Sequence, residues 1–147
     1  MTRSARDRQK QKVYHVYVLE LEGGNFYVGS ASRLPARMRE HFVTKYGKSS
    51  AWCSRYKPVG VAHSQAIFGT VHDAVSLEDQ IALGLAKSIG LDRVRGGKLS
   101  GNADSTPWGW NRFLDGVQEI KTNQLVGLNE TELEQLIGTQ GKQSSLF

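Results

Sequence analysis

Hydrophobic positions along the 147-residue chain recur with two periods. Val13 to Leu21 and Phe26-Tyr27-Val28 are dense in Val, Tyr, Leu and Phe, which fill pleated surfaces well. Between them, Glu22-Gly23-Gly24-Asn25 tolerates positive φ, so the two runs predict a hairpin closed by Gly29. Pro58 to Phe68, broken only at Gly60, predicts a third strand. Steps of three and four take over in residues 34–46 and 71–89, which predict helices, with Pro35 suited to a first turn and Gly90 to a stop. A short helix from Trp108 to about Ile120 and a last one from an Asn129 cap to about Ile137 complete the pattern. This order predicts an α+β (α/β) sandwich: a small, mostly antiparallel three-stranded sheet with an N-terminal hairpin, flanked by helices.

Composition narrows the class. An apolar share of 39% with 22% charged residues suits one globular domain rather than a disordered chain. Cys53 is the only cysteine, which excludes an intramolecular disulfide and a cysteine zinc site and suits a reducing, cytoplasmic setting. No apolar run approaches the ~18 residues that span a bilayer, so no membrane role is expected. Nineteen basic against 14 acidic side chains give +5, which favours an anionic partner. The surplus is uneven. Residues 1–12 carry Arg3, Arg6, Arg8, Lys10 and Lys12 against Asp7 and are expected to form a disordered basic arm, whereas residues 113–147 are net acidic. Residues 13–120 are expected to form the domain, 121–137 a helical extension and 138–147 a loose tail.

Polar side chains on apolar stripes carry the candidate chemistry. Glu78 interrupts the stripe Val71, Val75, Ala82, Leu85, Ile89; a carboxylate there needs a partner or a cation, unless the stripe is rotated toward Leu77 and Ile81 and Glu78 lies at its rim. Arg37 and His41 are one turn apart on residues 34–46 and face one way, as a site or as a solvated basic face. Tyr17 shares its strand face with Val13, His15, Leu19 and Leu21, and Tyr27 sits two residues before Gly29; either phenol alone suits a core with a polar rim.

In order, Val16-Tyr17-Val18, Tyr27-Val28-Gly29, Leu34-x-x-Arg37-x-x-x-His41 and Glu78 resemble the GIY-YIG nuclease superfamily, with His-Val-Tyr at Tyr17 in place of the first motif. Ala51-Trp52, Tyr56-Lys57-Pro58 and Val94-Arg95-Gly96-Gly97 are similar to its small single-domain members. The resemblance implies the superfamily's fold and an endonuclease that hydrolyses DNA phosphodiesters, structure-dependent or weakly sequence-specific, in repair, recombination or processing of phage or mobile DNA. RNA stays open as a substrate, and the alternative is a non-catalytic nucleic-acid-binding module or a clamp-tethered adaptor. It implies catalytic roles for Tyr17, Tyr27, Arg37, His41 and Glu78, with Tyr17 as general base, and a single Mg²⁺ or Mn²⁺ on Glu78, since such ions keep waters and take phosphate oxygens. Tyrosine ionises near ~10, so Tyr17 needs help, and His41 is the neutral base at hand. DNA contacts are expected from Gly29, Arg33, Lys45, Arg55, Lys57, Arg95, Gly96 and Gly97. The superfamily's asparagine after the glutamate helix has no clear counterpart, Asn102 being the nearest. Trp108 and Trp110 suit packing of a C-terminal helix more than base stacking, whereas Trp52 among Arg55, Tyr56 and Lys57 tilts toward DNA. The last five residues resemble the peptide by which bacterial DNA enzymes bind the sliding clamp, through Gln143, Leu146 and Phe147. A monomer or weak dimer in a bacterial or phage setting is expected.

Overall fold

The computed structural model describes residues 10–43, 50–99, 112 and 114–145, with side chains described as far as residue 138. Strands β1 (Lys12–Leu21) and β2 (Asn25–Ala31) form the expected hairpin around a short 3-10 turn at Glu22–Gly24. Tyr17 lies opposite Gly29, Leu19 opposite Tyr27 and Val16 opposite Ser30. Because neighbours across a pair project to the same side, Tyr17, Gly29 and Tyr27 share one face of the sheet, and Val16, Val18, Val28 and Ser30 share the other. Strand β3 (Pro58–Gly69) pairs antiparallel with β1 at the opposite edge of the hairpin.

A fourth strand, β4 (Val94–Gly96), lies parallel to β2 and makes the sheet mixed, in the order β3-β1-β2-β4. Three residues are too few for a period, so this strand corrects the three-stranded expectation. Gly96 permits it to close on β2: a Cβ there would meet the backbone of Val28, and φ is +128°. Pairing with β4 reaches only from Phe26 to Val28, so the outer edge of Gly29–Ala31 extends beyond it.

Helices cover both faces of the sheet. Helix α3 (Val71–Ile89) begins with a reciprocal cap between Thr70 and Asp73, ends at Gly90, and buries Ala74, Ile81, Ala82, Leu85 and Ala86 against Val16, Val18 and Val28. Its stripe is the rotated one: Val71 and Val75 are exposed, and Glu78 lies at the rim. On the other face, α1 (Leu34–Phe42) and α2 (Ala51–Arg55) pack Leu34, Met38, Trp52 and Cys53 on Tyr17, Leu19 and Leu21. Helix α4 (Glu130–Ser145) adds Leu133, Leu136 and Ile137 to that layer, with Arg39 Nη1 donating to the Ile137 carbonyl at 3.4 Å.

Asn129 caps α4 as expected, exchanging hydrogen bonds with Glu132. The helix then runs on to Ser145 rather than loosening at Gly138, because propagation adds one hydrogen bond per residue fixed and two isolated glycines only weaken it. The helix expected up to Ile120 is not formed by its described part: residues 114–116 turn and 117–120 have no regular secondary structure and lie against α3, where Ile120 N donates to the Gly84 carbonyl at 3.0 Å. Of the basic arm expected at residues 1–12, Lys12 opens β1 and residues 1–9 lie outside the described residues, as do Lys45, Asn102, Trp108, Trp110, Leu146, Phe147 and the side chain of Gln143. Among the described residues no helix is long and apolar enough to cross a membrane.

Candidate active site

The period of two fixes where the hairpin's phenols point, and α1 brings two basic side chains over them. Tyr17, fully buried, is the hub: its Oη lies 2.9 Å from His41 Nε2 and accepts from Arg37 Nε at 3.3 Å. The direction of the Tyr17–His41 hydrogen bond is set by which imidazole nitrogen carries the proton. Gly29 makes room for this hub, since a Cβ there would lie 2.6 Å from Tyr17 Oη. The glycine supplies that space. Tyr27 stands beside the hub with its ring 5.8 Å from that of His41. Arg37 also lies 3.5 Å from Glu40 through Nη1.

Burial dominates the electrostatics. It pushes Tyr17 well above the ordinary phenol range and raises Tyr27 as well, although the Arg37 charge and hydrogen bonding pull both phenols back down. For His41, burial and then the Arg37 charge lower the imidazole from 6.5 to about 4. The unfolded chain therefore binds more protons than the folded one between those values. His41 costs the fold nothing above pH 6.5, and its cost grows to about 3 kcal/mol as pH falls through 4. Urea titrations at pH 7 and pH 4 are expected to show a shallower acid loss for His41→Gln than for the wild type; equal losses contradict a buried neutral imidazole.

Glu78 approaches Tyr27 from the other face of the sheet. It stands on the α3 flank beside the outer edge of β2, where Ser30 Oγ donates to its Oε2 at 2.6 Å. Burial raises its pKa, the Ser30 hydrogen bond lowers it, and the Asp79 charge raises it. It is also near enough to Tyr27 to push that phenol up by charge. A cavity of about 440 Å³ is lined by Tyr27, Trp52, Glu78, Asp79 and residues 95–99, whereas Tyr17, Arg37 and His41 do not line it. Among the described residues no three metal-ligating side chains cluster. The donor set of one half-buried carboxylate with no cationic partner among those residues, beside a cavity, fits a hard ion that keeps its waters and takes phosphate oxygens.

Arg95 does not serve as the expected phosphate contact. It is 2% exposed, with Nη1 donating to the carbonyls of Leu91 (2.6 Å) and Val94 (2.8 Å) and its guanidinium 4.6 Å from the Trp52 ring centre. Trp52 is buried and donates through Nε1 to the Phe26 carbonyl, so it braces β2 instead of offering a face to a base. Gly96 and Gly97 pack against Val28 and Asp79. The sequence reading missed Lys98, which is exposed and lines this cavity and a neighbouring one, its backbone N–H held by Asp79 Oδ1 at 2.7 Å. It also missed Ser30, which strand alternation alone would have placed on the Glu78 side. Arg33, Arg55 and Lys57 are exposed around α1 and α2, with Arg55 5.4 Å from the centre of the Tyr56 ring.

The sequence model of the GIY-YIG catalytic domain matches residues 13–87, half of the chain. No curated protein and no solved structure matches.

Proposed function

We propose, from the premise that this chain belongs to the GIY-YIG family of endonucleases, that it cleaves DNA phosphodiester bonds in the cavity between Tyr27 and Glu78 with the help of one divalent ion. The family acts on DNA and is generally dependent on a divalent metal. The observation that carries the proposal is the meeting at one cavity of a phenol backed by Arg37 and a carboxylate anchored by Ser30, from opposite faces of the sheet.

Glu78 would hold Mg²⁺ or Mn²⁺, which lowers the pKa of bound water and offsets phosphate charge. The chain's own groups divide the remaining work. Tyr27, at the cavity wall, is the phenol that meets the attacking water, and Arg37 stabilises its anionic form. Tyr17 is expected from the family resemblance to be the general base, yet it is fully buried and does not line the cavity; it serves better as the pivot that orients Arg37, with its Oη also bonded to His41 Nε2. Lys98 is the cation placed to meet a flanking phosphate. Lys98→Ala is expected to weaken duplex binding and to lower the slope of log affinity against log salt by about 1, read by fluorescence anisotropy at several salt concentrations. An unchanged slope removes Lys98 from the interface.

Cutting is taken to be directed by DNA structure or weakly specific, in repair, recombination or mobile-DNA processing in the cytoplasm. A panel of nicked, flapped, branched and plain duplexes at fixed salt, with Mg²⁺ or EDTA, tests this. Metal-dependent cutting that favours one DNA shape is the expected result. Binding without cutting on every substrate would instead mark a non-catalytic module.

A further inference from the structure

Glu78 lies on the rim of the α3 stripe, where a long side chain has several rotamers open to it unless something fixes it. Strand β2 supplies the fixture. Alternation turns Ser30 toward α3 just where β4 has stopped covering β2, and its hydroxyl donates to Oε2 at 2.6 Å. The next α3 residue is tied down too, because Asp79 Oδ1 accepts the Lys98 backbone N–H at 2.7 Å. Two consecutive helix residues thus lock α3 to β2 and to the loop after β4. Oε1 of Glu78 accepts from none of the described residues, so the lock uses one carboxylate oxygen and leaves the other for the cavity.

We propose that Ser30 is a positioning residue that aims the Glu78 carboxylate, so that the divalent ion is bound with one carboxylate oxygen already fixed. This rests on the nuclease proposal for the ion itself, but the hydroxyl's part can be measured without turnover. A partner hydrogen-bonded to a metal ligand typically changes metal affinity by roughly 10- to 100-fold when removed. Threonine keeps the hydroxyl and valine is its near-isostere without one, and both suit a strand.

The test is Mn²⁺ binding, followed by electron paramagnetic resonance, to wild type, Ser30→Thr and Ser30→Val, each saturated with a phosphorothioate duplex that resists cleavage, with thermal midpoints recorded alongside. Ser30→Val is expected to bind Mn²⁺ at least about 10-fold more weakly than wild type, and Ser30→Thr within about 3-fold, at matched thermal midpoints. Equal affinity of Ser30→Val and wild type, equal weakening of both variants, or no Mn²⁺ binding by wild type would overturn the proposal. Graded Mn²⁺ binding by a wild-type chain that cuts none of the DNA panel would uphold Ser30 while sinking the nuclease proposal.

Discussion

Replacing Glu78 with Gln is expected to lower DNA cleavage about 10³-fold while leaving duplex affinity equal or higher. The magnitude follows from its place as the sole carboxylate proposed to hold the ion: losing the several kcal/mol that a metal contributes to phosphoryl transition-state charge, taken as about 4 kcal/mol, is three decades in rate. The fold is expected to survive, because the Gln carbonyl can still accept the Ser30 hydroxyl now held by Oε2 and the position is at the rim of α3 rather than in its packed stripe. Affinity does not fall, because the change removes a negative charge from a cavity meant for phosphate. Single-turnover cleavage and anisotropy on the same preparation separate the two effects. Cleavage within 10-fold of wild type would remove Glu78 from the chemistry, and a parallel loss of binding would point to misfolding.

Tyr27→Phe is expected to cost about 10²- to 10³-fold in cleavage, and Tyr17→Phe only about 10-fold. The difference follows from position. Tyr27 lines the cavity, whereas Tyr17 is fully buried and acts through Arg37. Removing the Tyr17 hydroxyl takes one buried hydrogen bond from His41 Nε2 and one from Arg37 Nε, so Tyr17→Phe should also lower the unfolding free energy by about 1–3 kcal/mol. The half-buried Tyr27 should show a smaller change. Single-turnover rates with urea unfolding of both variants check the contrast. A larger catalytic loss at Tyr17 than at Tyr27 would restore Tyr17 as the base.

How much of this was legible depends on the length of each signal. Strands β1 and β3 and helix α3 were readable because ten or more residues repeat one period, with Pro58 opening β3 and Gly90 ending α3, and β2 because a glycine turn ties it to β1. The positions of Tyr17, Tyr27, Arg37 and His41 followed from alternation in β1 and β2 and a single turn of α1, and the structure brings them together. Of the two placements that the helix period left open for Glu78, the structure has the rim. The stripe is rotated so that Ala74 and Ile81 are buried, and the carboxylate is a rim group reaching round the edge of the sheet. Strand β4 and the buried Arg95 were invisible, because an arginine stacked on Trp52 and bonded to two carbonyls looks in sequence like any loop cation. Lys98 was missed for the converse reason: it is set apart from other exposed lysines only by the two cavities it borders.

The most direct test of a shared cleft is the anomalous-scattering map of crystals grown with Mn²⁺ and a phosphorothioate duplex. A manganese peak on the Glu78 carboxylate, with a backbone phosphate between it and the phenol of Tyr27, is the predicted result. A phosphate seated elsewhere on the protein, or manganese bound away from Glu78, would contradict it.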